Sequence, residues 1–232
     1  MQTYLEPRLI AEMTARILLE SGSILFNAEK PFIFTSGWAS PVYVDGRRII
    51  SFPAYRQIVT GLAAREIERR IGLDNIDSLV GGEAAGIPFA AWIAESLRLP
   101  MQFVRKKAKG FGRNAQVEGV LAEGTRALLI EDLTTDGRSK LNFCQALRRA
   151  GARVDHIFVI FYYDIFEKSR QIISELKVNM HALATWRDVL AVARTGDYFD
   201  PATLAEVERF LEHPAEWSAR HGGLSDFPDF LD

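Results

Sequence analysis

Two adjacent carboxylates, Glu131 and Asp132, follow a short apolar run and begin the stretch of this sequence that is richest in chemistry. The run from Ala127 to Ile130 contains no polar residue, which is typical of a strand buried on both faces of a parallel sheet. A hydroxyl-rich turn with one glycine comes next, from Thr134 to Ser139, and a helical pattern of apolar residues follows it. A strand, a tight turn and a helix start in this order direct free backbone N–H groups and the positive helix end at one spot, which predicts a phosphate site.

The paired carboxylates predict that a second group is bound beside the phosphate, because two negative charges would repel a phosphate alone. Ribose hydroxyls donate hydrogen bonds to carboxylates, and a magnesium ion bound to a sugar phosphate adds a positive charge. Glu131 and Asp132 are therefore predicted to hold a sugar, with its phosphate further along the turn. The alternative is that both acids lie in a loop and only cap the following helix, since acids are favoured at helix starts.

The sequence E-D-L-T-T-D-G-R-S resembles the phosphoribosyl pyrophosphate (PRPP) signature of the type I phosphoribosyltransferases. The resemblance implies that the two acids hold the ribose, that the turn binds the 5-phosphate and that Thr135 lies near the base. The stretch departs from the family's usual form at Asp136, where Thr or a small residue is commoner, and at Arg138, where a small residue usually stands. The residues implied to bind substrate here are Glu131, Asp132, Leu133, Thr134, Thr135, Asp136, Gly137, Arg138 and Ser139.

A run of cations forms a second group of residues suited to an anionic ligand. Residues 105–114, R-K-K-A-K-G-F-G-R-N, contain five cations within nine residues and two glycines, which is typical of an open arm rather than of a helix or strand. Such a charge run is often a solvated surface loop. The alternative is a lid that brings lysines onto a departing pyrophosphate and excludes water.

The same run resembles the R-K-x-x-K catalytic loop of the orotate phosphoribosyltransferases, with residues 116–119 matching the return of that loop. The resemblance implies that part of the loop acts in the active site of the neighbouring subunit of a homodimer. Lys106 and Asp132 are the residues implied to be catalytic. Phe111 stands where some family members have a histidine. The cations implied to contact PRPP are Arg105, Lys106 and Lys109.

A glycine-rich turn, G-G-E-A-A-G-I-P at residues 81–88, lies between a short predicted strand and an apolar helix predicted at about 89–97. Glycines let a ligand approach backbone amides closely, although tight packing of the chain is the alternative explanation. The turn lacks the pattern G-x-G-x-x-G, so no nicotinamide cofactor is predicted. It resembles the pyrophosphate loop of the family, in which many members have a basic residue where Ala85 stands. The pyrophosphate is therefore expected to rely on amides, magnesium and other cations.

A hood or edge hairpin is predicted from residues 32–45, where two strand-like runs flank a turn with Gly and Pro, and it includes the segment F-T-S-G-W-A-S-P-V-Y-V-D at 34–45. The segment resembles the N-terminal part of the orotate phosphoribosyltransferases, in which an S-G-x-x-S-P motif precedes a strand that lines the base pocket. Family members commonly place an arginine after the aspartate of a later strand, to meet the orotate carboxylate, but here Asp164 is followed by Ile165. Either another group takes the carboxylate or the base is different.

The order of the predicted elements indicates one α/β domain. Strands alternate with helices along most of the chain, which favours right-handed crossovers and a parallel sheet flanked by helices. The strand ends would then gather the glycine-rich turn, the cationic run and the carboxylate turn at one edge. A length of 232 residues with 48% hydrophobic composition suits a single domain. Its expected parts are an N-terminal helix and hood at 1–50, an α/β core at 51–185 and C-terminal helices at 186–232.

Composition excludes several other classes of function. The formal net charge of -2 gives no global attraction to nucleic acid or to an anionic membrane, so neither partner is predicted. No apolar run approaches the length of a membrane span. Cys144 is the only cysteine, which excludes an intrachain disulfide and favours a reducing, cytoplasmic location. The four histidines have no ligand spacing, and no metal site built by protein residues alone is predicted.

The resemblances together imply a magnesium-dependent pentosyltransferase. It is expected to transfer ribose 5-phosphate from PRPP to orotate, giving orotidine 5'-phosphate and pyrophosphate, in the de novo pathway to the pyrimidine nucleotide UMP. One alternative is a purine phosphoribosyltransferase. The other is a regulator that keeps the fold as a PRPP sensor. A sensor would not need the cationic arm.

Overall fold

The computed structural model describes residues 5–110 and 116–226. In chain order its helices and strands are α1 (Pro7–Glu20), β1 (Ile24–Phe26), β2 (Phe32–Ile33), β3 (Ala39–Ser40), β4 (Val42–Val44), α2 (Pro53–Arg70), β5 (Ser78–Gly82), α3 (Gly86–Leu97), β6 (Met101–Val104), β7 (Val117–Glu118), β8 (Arg126–Thr134), α4 (Arg138–Arg149), β9 (Arg153–Tyr162), α5 (Glu167–Glu175), β10 (Asn179–Thr185), α6 (Trp186–Ala193), α7 (Pro201–Glu212) and α8 (Pro214–Arg220). Two short 3-10 helices cover Gly46–Ser51 and Leu73–Asn75.

A six-stranded sheet lies at the centre, with its strands in the order β10, β9, β8, β5, β6, β7. The strands from β10 to β6 are parallel, and β7 pairs antiparallel with β6 at the edge. Parallel neighbours need long crossover connections, and α3, α4 and α5 supply them between successive strands. The predicted α/β fold with a central parallel sheet flanked by helices is confirmed.

The apolar strands are buried because the sheet has a hydrophobic layer on each face. Along β8, Leu128 and Ile130 belong to one buried cluster and Ala127 and Leu129 belong to the other. The first cluster includes residues of α1, α2 and α3, and the second includes residues of α4 and α5. Side chains alternate between the two faces of a strand, so an unbroken apolar run contributes apolar side chains to both hydrophobic layers.

Strand β8 extends further than the apolar run suggested. Pairing with β9 continues to Thr134, which lies opposite Tyr162, and the N–H of Tyr163 donates to the Thr134 carbonyl at 3.0 Å. Glu131 and Asp132 are therefore strand residues, so the alternative that both lie in a loop is wrong. Polarity marked the wrong boundary because carboxylates at the carboxyl end of a central strand can face a cavity instead of the core.

The predicted hood consists of two small antiparallel pairs, β1 with β4 and β2 with β3. Helix α1 packs against α6 and β10, and α8 packs against β3. Helix α8, which begins with Pro214 at its first turn, was not predicted from the sequence. Within the described ranges, no helix combines the length and the apolar character needed to cross a membrane.

Candidate active site

A cavity of about 550 Å³ lies where the carboxyl ends of β5, β6 and β8 meet beneath the hood. This is the edge at which open parallel sheets bind ligands. Residues from every predicted functional segment except the return of the cationic arm line this cavity. Predicted site residues that line it are Lys106, Glu131, Asp132, Leu133, Thr135, Asp136 and Ser139.

The turn after β8 presents free backbone donors to this cavity. In the described part of the chain, the N–H groups of Thr135, Asp136, Gly137 and Ser139 have no hydrogen-bond partner. Gly137 has a φ of 85°, a left-handed conformation that favours glycine, and it stands directly before α4. Four amides at a helix start form a site for an anion such as a phosphate.

The presence of Asp136, one departure from the family signature, is explained by a hydrogen bond that its side chain accepts. Its Oδ1 accepts a hydrogen bond from the N–H of Arg138 at 3.1 Å, so the carboxylate closes the turn onto the start of α4. Thr134 is 1% exposed and its hydroxyl is buried, and the structure does not bring that hydroxyl or the Arg138 side chain into the lining of the cavity. The predicted phosphate site thus keeps its backbone amides but not the Thr134 hydroxyl or the Arg138 side chain.

Lys140 lines the same cavity and was missed by sequence reasoning. Its Nζ lies 2.8 Å from Glu131 Oε2, and it also donates to the Leu133 carbonyl and to Ser139 Oγ. The two charged side chains are only 3% and 7% exposed, so this is a buried ion pair with all three ammonium hydrogens in use. A signal was present in the sequence, because a lysine in the first turn of a helix opposes the helix dipole and needs a partner.

Glu131 is also enclosed by the glycine-rich turn. A Cβ at Gly82 would lie 2.6 Å from Glu131 Oε1, and one at Gly86 would lie 2.8 Å from the same atom and would overlap the Ile130 carbonyl. The two glycines are therefore required for close packing of the turn on β8, which was the alternative explanation for them. The Glu131 carboxylate is held between this turn and Lys140.

Asp132 is the acid that remains available to a ligand. It forms no ion pair with any described residue, and its Oδ2 lies beneath Gly46 of the hood. Burial, together with the neighbouring charge of Glu131, raises the pKa of Asp132 to about 6, although Lys140 acts to lower it. Both acids of the signature pair line the cavity, but among the described residues Glu131 is held in an ion pair and Asp132 is not.

The cationic arm is joined to the glycine-rich turn at its first residues. The N–H of Lys106 donates to Glu83 Oε2 at 2.8 Å, and Asn142 Nδ2 donates to the Lys106 carbonyl at 2.9 Å. Arg105 pairs with Glu118 of the returning strand at 3.1 Å. Arg105 and Lys109 line an adjoining groove of about 520 Å³ that shares Glu83 and Lys106 with the main cavity.

The lysine ammonium groups of the arm remain available. Lys106 and Lys109 form no ion pair with residues of the described ranges, so their charge is free to meet an anion. Residues 111–115 lie outside the described residues, and the position of Phe111 belongs to them. The arm thus brings one lysine to the main cavity and a second lysine to its mouth.

The opposite end of the cavity is lined by the hood. We call this the base end and define it by Phe34, Thr35, Ser36, Tyr43 and Tyr163. We call the other end, from Asp132 to Ser139, the sugar-phosphate end. The Tyr163 hydroxyl accepts the N–H of Val44 at 3.2 Å, and complete burial raises the pKa of that phenol. Ile165, where relatives were expected to have an arginine, lines a separate surface groove with Arg170.

Known proteins resemble this chain over most of its length. Residues 48–184, more than half of the chain, match the model of the phosphoribosyl transferase domain. The chain is 50% identical to an orotate phosphoribosyltransferase of Agrobacterium fabrum over 226 residues, which cover 97% of each chain. It is also 50% identical to an orotate phosphoribosyltransferase of Roseobacter denitrificans, over 92% of this chain and 95% of the other.

Solved structures share the fold. Orotate phosphoribosyltransferase from Aeropyrum pernix superposes with a TM-score of 0.65 at 25% identity, over 77% of this chain and 97% of the other. UMP synthase from Leishmania donovani superposes with a TM-score of 0.75 at 25% identity, over 87% of this chain and 42% of that longer chain. The chain therefore belongs to the orotate phosphoribosyltransferases, within the type I phosphoribosyltransferases.

Proposed function

We propose that the chain transfers ribose 5-phosphate from PRPP to orotate, releasing pyrophosphate and forming orotidine 5'-phosphate. The observation that carries the proposal is the convergence of the free turn amides, Asp132 and Lys106 on one cavity. Each group suits a different part of PRPP. The product is a precursor of UMP, which gives the reaction its place in pyrimidine biosynthesis.

The sugar-phosphate end binds the ribose and the 5-phosphate of PRPP. The amides of Thr135, Asp136, Gly137 and Ser139 bind the 5-phosphate, with the start of α4 adding its favourable dipole. The Asp132 carboxylate accepts hydrogen bonds from the ribose hydroxyls. Glu131 serves this end indirectly, because its charge is already satisfied by Lys140 and its position fixes the strand end beside the glycine-rich turn.

The cationic arm assists departure of pyrophosphate. Breaking the bond at ribose C1 leaves cationic character on the sugar and adds negative charge to the leaving group. Lys106 reaches the cavity and meets that charge as it develops, which lowers the barrier more than it strengthens ground-state binding. Arg105 and Lys109 extend the positive surface along the adjoining groove.

The donor set fits a magnesium ion carried by PRPP. Among the described residues, no group of three or more His, Cys, Asp and Glu side chains could hold a metal by themselves. Magnesium usually takes one or two carboxylates together with substrate phosphates and water. Asp132, acting through the ribose hydroxyls, and Glu83, whose side chain lines the cavity, are the residues that would hold it. When bound, the ion supplies positive charge to the pyrophosphate oxygens.

The base end receives the acceptor. The relatives that are about 50% identical carry the name orotate phosphoribosyltransferase, and this supports orotate rather than a purine as the base. Thr35 and Ser36 provide hydroxyl groups there, and Tyr43 provides an aromatic ring. With Ile165 at the position where an arginine was expected, the hood hydroxyls and Arg47, which also lines the cavity, are expected to take a larger share of orotate recognition.

Assembly and location complete the proposal. We expect a homodimer in which part of the arm of one subunit acts in the active site of its neighbour, as the family resemblance implies, although Lys106 also lines the cavity of its own chain. The single cysteine is free and buried in the structure, which fits the expected reducing environment of the cytoplasm. Light scattering and cell fractionation test these two expectations.

A panel of bases tests the reaction. Purified chain is incubated with PRPP, magnesium and either orotate, uracil, hypoxanthine or adenine, and pyrophosphate release is measured. Orotate is expected to give the highest kcat/KM. A preference for hypoxanthine or adenine would support a purine phosphoribosyltransferase. Tight PRPP binding without turnover of any base would support a regulatory sensor.

A further inference from the structure

The turn that carries the base-end hydroxyls is held from outside by the end of the described chain. The N–H of Ala39 donates to Ser218 Oγ at 2.9 Å, across 179 residues of sequence. The N–H of Leu224 donates to the Gly37 carbonyl, also at 2.9 Å, and Ser218 Oγ donates to the Leu224 carbonyl at 2.5 Å. We call residues 218–224 the C-terminal brace.

Close packing shows that the brace and the turn are fitted to each other. A Cβ at Gly223 would overlap the Ala39 backbone nitrogen and Ser218 Oγ. On the other side, Gly37 has a φ of 88°, and a Cβ there would lie 2.7 Å from Leu224 Cδ1. Both segments therefore depend on glycine for their approach, which an accidental contact of a loose chain end would not require.

The brace itself rests on a rigid support. Ser218 is fully buried, and its neighbour Trp217 packs edge-on against Phe210 with ring centroids 5.5 Å apart. His221 stacks on Trp217 at 3.7 Å, and the indole N–H donates to Glu206 of α7 at 2.5 Å. These contacts fix the end of α8, so the brace can hold the hood turn in one position.

We propose that the C-terminal brace is a positioning element for the acceptor base, acting through Ser36 and Thr35. The inference rests on the proposed function, because it takes the base end as the orotate site. Ser36 is 8% exposed and lines the cavity, and in the described ranges its hydroxyl has no hydrogen-bond partner. Neutral hydrogen bonds recognise a ligand well only when their geometry is set in advance. The brace sets that geometry for the hydroxyls of the hood turn.

Replacing Ser218 with alanine tests the proposal, because it should weaken the use of orotate much more than the binding of PRPP. Ser218→Ala removes one hydrogen bond to the turn and one within the brace, so KM for orotate is expected to rise roughly 5- to 30-fold. The KM and Kd for PRPP are expected to change less than about twofold. Glu216→Ala is the matched control, since Glu216 lies on α8 outside the brace and pairs only with the exposed Arg220 side chain within the described ranges. An unchanged KM for orotate, or equal rises for both substrates, would overturn the proposal.

A second variant and a second readout keep the test independent of folding and of the reaction. Gly223→Ala places a methyl group against the hood turn and should raise KM for orotate at least as much as Ser218→Ala does. Hydrogen exchange followed by mass spectrometry should show faster exchange at residues 37–40 in both variants. Slow exchange there would contradict the brace even if Ser218→Ala folds poorly. If the unmodified chain fails to use orotate, the proposed function fails, while the exchange result still reports on the brace.

Discussion

The two ends of the cavity are built in different ways. The sugar-phosphate end comes from one continuous stretch in which a strand, a turn and a helix start follow each other directly. The base end joins parts that are far apart in sequence, with 119 residues between Val44 and its partner Tyr163 and 179 between Ala39 and Ser218. The proposed binding of the ribose 5-phosphate is therefore a local property of the chain, whereas the proposed binding of the base depends on tertiary contacts.

The largest expected effect follows from removing the cation that supports the sugar-phosphate end. Lys140→Met leaves the Glu131 carboxylate buried and unpaired, which should lower the free energy of unfolding by about 3–5 kcal/mol. Chemical denaturation measures this loss. Lys30→Met is the control, because Lys30 is exposed on the hood and should change stability by less than about 0.5 kcal/mol.

A double variant separates the ion pair from simple packing. Glu131→Gln combined with Lys140→Met removes both charges, so most of the lost stability should return. If Lys140→Met alone is as stable as the unmodified chain, the buried ion pair is not a support of this end. If the double variant is no more stable than Lys140→Met, the damage comes from packing rather than from the unpaired charge.

The next effect concerns the arm, which serves the sugar-phosphate end from a separate segment. Lys106→Ala should lower kcat by roughly ten- to hundredfold while the Kd for PRPP changes much less, because charge on the pyrophosphate develops as the bond breaks. Lys30→Ala is the control, because Lys30 is exposed and lines neither the cavity nor the groove. Single-turnover kinetics make the measurement, and an unaffected chemical step would reduce the arm to a solvated loop.

Mixing of subunits tests whether the arm crosses to a partner. If Lys106 serves the neighbouring site, a dimer of one Lys106→Ala chain and one Asp132→Asn chain has one site with both defects and one site with neither. Activity should then return after the two inactive parents exchange subunits. Mixed chains that have exchanged but stay inactive would exclude a shared site.

A smaller effect is a pH dependence of kcat/KM that arises at the sugar-phosphate end, where Asp132 titrates. Asp132 must be ionised to accept the ribose hydroxyls, and burial raises its pKa to about 6. We therefore expect kcat/KM for PRPP to fall as the pH drops below about 6, and the decrease should approach tenfold per pH unit. The phosphates of PRPP titrate in the same range, so the profile is compared with that of Asp132→Asn, which should lack the enzyme's contribution. Identical profiles would contradict the raised pKa of Asp132.

The same contrast explains what the sequence could predict. The alternation of strands and helices, the phosphate turn and the cationic arm all depend on short-range patterns. The described structure brings the turn and the arm to one cavity and its adjoining groove. The role of Lys140 could not be read from spacing alone, because a lysine nine residues after Glu131 meets it only when the turn reverses the chain. The end of β8 was misjudged because polar residues in that strand face a cavity.

The base end was the less predictable part. The motif S-G-W-A-S-P indicated a hood, but nothing in it identifies Ser218 or Leu224 as its support. Helix α8 is short, and its contacts rather than its periodicity give it a position. The glycines at 82 and 86 were also open to two explanations until the position of Glu131 became known. Contacts between distant segments have no signature in a single sequence.

Titration of Asp132→Asn with PRPP tests the central claim most directly, namely that one acid of the signature pair faces the ligand while the other is held by Lys140. Isothermal titration calorimetry with magnesium present is the measurement, and circular dichroism confirms that the variant is folded. The amide cannot replace the negative charge that the ribose hydroxyls and the accompanying ion require, so most of the affinity for PRPP should be lost, about tenfold or more. Unchanged PRPP binding by folded Asp132→Asn would contradict the account.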